Sequence, residues 1–369
     1  MLGQVRIEAA LQASGIHASL SARDTRCFSP MPASLSFNFR SEAVKYLAAA
    51  LFLVRLPCAG ATNAGHPAST LPRYVVGPPN RDRVNRGLSF RELFEKPDEW
   101  KETRALTDAL LYADWSFREF TDDELRSWFA QMQRWNIKLE LEVGGVKEWG
   151  GATGESTFKA QKPMWDRLQR LGGNIYSIVM DEPLCCVRQS LHRTDEYAVE
   201  QTADFIALVR ANYPNLIIGE AEPYPSIPVY DHMRWIYALQ SRLAARHIKG
   251  VEFYRMDVNW IVFDIRNQGS WNEVKQIQKY CKSSNLPFSL IYWAPGYDYM
   301  EKLGLADDST WRTGVMAQGY AYASVNGVPD QYVLEDWEDC PSHTVPETAD
   351  YSFTRSALDF GRKFVKPIK

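Results

Sequence analysis

Apolar and polar residues alternate along this chain in short blocks that come in a repeating order. Lys138–Val143 (KLELEV) alternates with period two, the pattern of a strand. Leu125, Trp128, Phe129 and Met132 recur at helical spacing behind Thr121, an N-cap residue followed by the acids Asp122, Asp123 and Glu124. From Tyr74 onward such pairs repeat. Strands are predicted at Tyr74–Val76, Ala109–Ala113, Lys138–Val143, Ile175–Met180, Leu216–Gly219, Val251–Met256, Phe288–Trp293 and Tyr332–Leu334. Helices are predicted between them, among them Met164–Leu171, Tyr197–Ala211, His232–His247, Trp271–Cys281 behind the cap Ser270, and Thr310–Ser324, with Thr354–Val365 closing the chain.

Eight strands, all but the first followed by a helix of good pattern, spread over roughly 300 residues, match the size and order of a single α/β domain, the (β/α)8 TIM barrel. An open doubly wound sheet would carry a glycine fingerprint after its first strand. The segment there is Gly77-Pro78-Pro79-Asn80, and no phosphate-binding GxxxxGK[ST] occurs anywhere.

The first seventy residues differ. Arg40 and Lys45 precede an apolar run, Tyr46–Val54, and small residues follow at Ala59–Ala64. A basic flank, a short apolar stretch and a small-residue exit describe a secretory signal, with Met31 a candidate true start. The expectation is a leader over residues 1–70, a barrel over 71–369, and a secreted or periplasmic product. Of six cysteines, Cys185, Cys186, Cys281 and Cys340 lie beyond the leader, an even number that permits disulfides.

Composition adds little until the acids are placed. The net charge of −3 gives no reason to expect nucleic acid or an anionic membrane as partner. Acidic residues recur where strands should end: Asp114, Asp181-Glu182, Glu220 and Glu222, Asp257, and Glu335-Asp336 before Glu338. In a barrel those ends share one mouth. Cleaving a glycosidic bond needs two carboxyls, one to protonate the leaving oxygen and one to act as nucleophile or base, roughly 5–9 Å apart. Glu220 and Glu222, two residues apart, should share a face, and two like charges side by side favour a raised pKa. Arg255 and Asp257 share a face and suit a structural pair. Glu140 and Glu142 also share one, and Lys138 or Arg255 would be their partners if they point inward.

Aromatic residues make up 13%, with 12 Trp. Trp115, Trp149, Trp260, Trp293 and Trp337 all follow predicted strand ends, where flat rings can stack on the C–H faces of a sugar. Of the histidines beyond the leader, none forms an HxH or HExxH set, and His232 and His247 are expected on a helix surface. No metal and no cofactor are expected.

With these residues in place, the chain resembles a glycoside-hydrolase-type barrel. Asp181-Glu182-Pro183 after the fourth strand resembles the Asn-Glu-Pro of the large clan of retaining glycosidases, which implies Glu182 as acid/base. That clan places a nucleophile glutamate after strand seven, where this chain reads Tyr292-Trp293-Ala294-Pro295. Barrels of α-glycosidases carry aspartates after strands four and six; that resemblance implies Asp181 and Asp257 as nucleophile and acid/base. The reading is therefore an exported glycoside hydrolase acting on an oligo- or polysaccharide. Glu182, Glu222, Asp181 and Asp257 are the catalytic candidates, Glu182 with Glu222 the preferred pair. Trp115, Trp260, Trp293, Trp337, Glu220, Glu335 and Asp336 are the substrate-binding candidates. The competing reading is a catalytically silent barrel that binds polysaccharide or a partner protein through the same mouth.

Overall fold

The computed structural model describes residues 71–80, 88–294 and 301–366. The leader expected over residues 1–70, with Cys27 and Cys58, lies outside the described residues. Eight parallel strands close on themselves in chain order: β1 (Tyr74–Gly77), β2 (Ala109–Ala113), β3 (Lys138–Gly144), β4 (Ile175–Asp181), β5 (Ile217–Tyr224), β6 (Phe253–Val258), β7 (Phe288–Tyr292) and β8 (Gln331–Glu335), with β8 pairing β1. The expected (β/α)8 architecture is what the chain forms.

Helices follow the strands on the outside: α1 (Leu88–Glu95) and α2 (Lys101–Leu106) after β1, then α3 (Asp122–Trp135), α4 (Gly154–Arg170), α5 (Pro183–Gln189), α6 (Asp195–Asn212), α7 (Val229–Ala245), α8 (Ile261–Ile265), α9 (Trp271–Ser283), α10 (Asp308–Ser324) and α11 (Phe353–Phe360). The start of α3 is set as read: Thr121 accepts from the Glu124 amide, and Glu124 reaches back to the Thr121 amide. Ser270 caps α9 by accepting from the Glu273 amide, while its own amide donates to the Tyr224 hydroxyl.

Because strand side chains alternate faces, each strand feeds two layers. Even-numbered positions of β1 and β2 (Tyr74, Val76, Leu110, Tyr112) join the large apolar layer under the helices. The other positions fill the barrel, where Val75, Ala109, Leu111, Val179, Ala221, Phe253, Ile291, Trp293 and Val333 form a second buried cluster. Gly219 belongs to this inner face: a Cβ there would come within 2.0 Å of the Phe253 ring, which crosses the barrel in the space the glycine leaves.

One inner layer is polar. Arg255 donates to Glu140 Oε1 at 2.5 Å and to Gln331 Oε1 at 2.6 Å through Nη2, and through Nε to Ser289 Oγ at 3.0 Å. Ser177 Oγ donates to the other Glu140 oxygen at 2.7 Å. Of the two partners considered for Glu140, Arg255 is the one used. Its guanidinium is thereby committed below the mouth, and the Arg255–Asp257 pair suggested by their spacing does not form.

The main departure from the sequence reading is β5. It was expected to stop at Gly219, yet it runs through Pro223 to Tyr224 and pairs with β6 along that length. No disulfide joins the four cysteines of the barrel. His232, expected on the surface, is fully buried on α7 with Nδ1 2.5 Å from the Tyr254 hydroxyl.

Candidate active site

The extended β5 divides the strand-end acids into two sets. Ala221 lies in the barrel's inner cluster, so Glu220 and Glu222 on either side of it face the helices. They are 1% and 0% exposed. Glu220 accepts the indole N–H of Trp235 on α7 at 2.8 Å. Glu222 accepts the backbone N–H groups of Leu184 and Cys185, at 2.5 and 3.0 Å, from the first turn of α5. Burial raises both acids, and they share a hydrogen bond with each other. Glu222 is therefore not at the mouth, and the expected Glu182–Glu222 pairing across a substrate does not occur.

Asp336 and Asp114 repeat the arrangement. Asp336, 1% exposed, accepts from Trp311 of α10 at 3.1 Å and from the Glu338 amide at 2.9 Å. Asp114 accepts from Trp165 of α4 at 2.7 Å, and burial pushes it up to about 7. Three outward acids thus each take a tryptophan N–H from a covering helix. They fasten helices to strands, because a buried carboxyl without such a donor is costly. Glu220 and Asp336, expected at the sugar, serve this layer instead.

The inward set meets at the mouth. Glu142 lies near the end of β3 on the same face as Glu140, Asp181 ends β4, Asp257 lies on the Arg255 face of β6, and Glu335 closes β8. Lys147, in the turn after β3, places Nζ 2.7 Å from Asp181 Oδ2. Burial works against the Lys147 ammonium, but Asp181 and Glu182 outweigh it and hold the pKa well above the ordinary range. Glu142 and Glu335 are raised, first by burial, and share a hydrogen bond. Asp257 is pushed up to about 7 by burial and by the nearby Asp181 charge, with the indole N–H of Trp293 pulling the other way. Asp257 Oδ1 and Trp293 Nε1 nonetheless each lack a well-formed hydrogen bond.

Glu182 sits at the hinge between β4 and α5. Its backbone is left-handed (φ 48°, ψ 50°), an unusual state for a residue with a side chain. Its amide donates to Ala221 O at 3.0 Å, and its carbonyl accepts from Cys186 at 2.9 Å. Burial raises its carboxyl well above the usual range, the Asp181 charge adds to this, Lys147 opposes it, and Asp257 and Glu222 contribute further. Strain of this kind persists only where the surroundings hold it, and it concentrates at functional sites.

Among the aromatic candidates, Trp293 and Trp337 lie against each other with ring centroids 4.6 Å apart at the inner cluster's upper edge. Trp115 and Trp260 are half-buried, and Trp260 Nε1 has no partner. Trp149 is 52% exposed, its ring over Gly144 at the tip of β3. Two mouth residues were missed as site candidates by the sequence reading. Glu142 was noticed but given no role, and its alternation with Glu140 and Asp181's position on the next strand were the available signals. Lys147 follows a predicted strand end in Gly144-Gly145-Val146-Lys147, with no pattern to single it out. Among the described residues, no group of three or more His, Cys, Asp and Glu side chains is arranged to hold a metal ion.

No family model matches the chain, and no curated protein matches it. Solved structures are similar to it at low identity. D-psicose 3-epimerase from Clostridium cellulolyticum H10 is 13% identical, over 79% of this chain and 99% of that one, with a TM-score of 0.42. YdjI aldolase from Escherichia coli K12 is 9% identical, over 79% and 86%, with a TM-score of 0.41. An aldo-keto reductase from Bombyx mori is 11% identical, over 79% and 84%, with a TM-score of 0.44. No glycoside hydrolase family is indicated.

Proposed function

We propose that the barrel hydrolyses a glycosidic bond, with Asp181 and Asp257 as the working carboxyls and Glu182 beside them. One observation carries this reading: a single mouth holds a lysine-paired carboxylate, Asp181, next to an acid, Asp257, that keeps its proton to about pH 7. Environments that separate two carboxyls in this way assign acid and base roles. Asp257 gives its proton to the leaving oxygen as the C–O bond breaks. Asp181 meets the positive charge growing on the anomeric carbon. Water then supplies the hydroxyl to the sugar and returns a proton to Asp257. Trp293 and Trp337 offer apolar surface for the sugar's C–H face.

Compared with the pairing favoured by the sequence, Asp257 replaces Glu222 and takes the donor role from Glu182. The test is turnover on a panel of aryl glycosides and polysaccharides by wild type, Asp181→Asn, Asp257→Asn and Glu182→Gln. The expected result is a loss of about 10²–10⁴-fold in kcat for the two aspartate variants. Binding of a glycan with no turnover by wild type, and no change of affinity in the variants, would leave the silent binding barrel as the function.

A further inference from the structure

We infer that Glu222 is a positioning residue that acts on the mouth through α5, fixing the orientation of the Glu182 carboxyl without touching substrate. The inference rests on the placement of Glu182 in the mouth, not on which reaction occurs there.

The connection is continuous and short. Trp235 on α7 donates to Glu220, Glu220 and Glu222 share a hydrogen bond, and Glu222 takes the Leu184 and Cys185 amides with its two oxygens. Those amides belong to the first turn of α5, which begins at Pro183, immediately after Glu182. On the other side of Glu182, its own amide is held by Ala221 O. Both grips come from consecutive residues of β5, one by backbone and one by side chain. The register explains it: Asp181 pairs with Ala221, so the residue following Asp181 turns over Glu222.

A left-handed glutamate is a costly local state, and Pro183 removes an N–H that could otherwise anchor the turn. The turn is held by the Ala221 carbonyl on the Glu182 amide, by the Cys186 amide on the Glu182 carbonyl, and by the Glu222 carboxyl, which alone fixes the Leu184 and Cys185 amides from β5. Release of the Glu222 grip lets residues 182–185 relax toward an ordinary conformation. The Glu182 carboxyl then leaves the company of Asp181 on β4, Lys147 after β3 and Asp257 on β6, the charged groups that face it, and gains water. Glu222 is fully buried and outside the mouth, and its charge adds a small direct push to the Glu182 carboxyl. Glu222→Gln and Glu222→Ala remove that charge alike, so the difference between the two variants reports the grip on the backbone.

The prediction can be read without any substrate. Full-length wild type, Glu222→Gln and Glu222→Ala are labelled with a water-soluble carbodiimide and an amine across pH 4–9, and modification is mapped by mass spectrometry. The reagent consumes protonated carboxyls, so each residue's profile reports its own titration. In Glu222→Ala the Glu182 profile is expected to move down by about one pH unit or more as the side chain regains solvent. In Glu222→Gln, which keeps one acceptor for an amide, it moves by less, and the Asp257 profile stays in place in both. If Glu222→Ala does not fold, the Gln variant and hydrogen exchange at Leu184 and Cys185 carry the test, with faster exchange expected. An unshifted Glu182 profile in folded variants overturns the inference, as does an equal shift in the Gln and Ala variants, which loss of the Glu222 charge alone produces, or a joint movement of Glu182 and Asp257 that signals general loosening. Neither outcome bears on turnover, so the inference and the glycosidase reading fail separately.

Discussion

Lys147 Nζ lies 2.7 Å from Asp181 Oδ2, across the neighbouring tips of β3 and β4, and Lys147 is nearly buried while Asp181 keeps part of its surface in the mouth. The pair gives Asp181 a fixed cation in a crowd of acids. Lys147→Met is expected to cost about 1–2 kcal/mol, less than a fully buried pair because water reaches Asp181. The folded-state ammonium titrates above its ordinary range, so its contribution is complete at neutral pH and is lost only as pH rises through that high value. Urea unfolding at pH 7 measures the cost. A variant as stable as wild type, with unchanged turnover, would remove Lys147 from the site.

Asp257 reverses the usual pH dependence of a carboxylate. Its pKa rises from an ordinary 3.8 to about 7 on folding, so the native state binds the extra proton and stability falls as pH climbs from about 4 to about 7. Asp257→Asn removes that loss. Relative to wild type the variant should gain stability between pH 5 and pH 8, by on the order of 2 kcal/mol once solvent access is discounted. Denaturation curves at the two pH values decide it, and an equal effect at both would contradict the buried, proton-holding state.

The ion pair at the barrel's centre should behave as a unit. Arg255→Met leaves Glu140 buried with no cation partner among the hydrogen bonds that hold it, at a cost of about 3–5 kcal/mol. Adding Glu140→Leu should recover a large part of that loss, since the uncompensated charge disappears with it. A double variant weaker than the sum of its parts would show the network to be more than a paired charge.

Glu182 trades stability for placement. Glu182→Gly relieves a left-handed backbone at a position where glycine is unstrained, and a gain of about 0.5–1 kcal/mol in thermal or urea stability is expected. If the mouth works as proposed, turnover falls in the same variant. Loss of stability on this substitution would mean that the side chain's contacts outweigh the strain.

Much of this was legible before the fold was known. Eight apolar blocks, the caps Thr121 and Ser270, and strand ends rich in acids follow from local periodicity and local chemistry, and each was found in place. The acids at the ends of β4, β6 and β8 could be named as strand-end residues from sequence, and so could the tryptophans after β7 and β8; Glu142 of β3 could not.

What the chain's own order of residues determined was the barrel and the supply of carboxyls at one end of it. Which carboxyls look into the mouth was decided only by tertiary structure. Side chains on a strand alternate, so the face of Glu222 depends on how far β5 stays paired with β6, and that pairing with residues 30 or more positions away cannot be read from a segment ending in Glu-Pro. The same pairing turned Glu220 and Glu222 toward Trp235 and α5, and left Asp181, Asp257 and Lys147, distant in sequence, to share the opening.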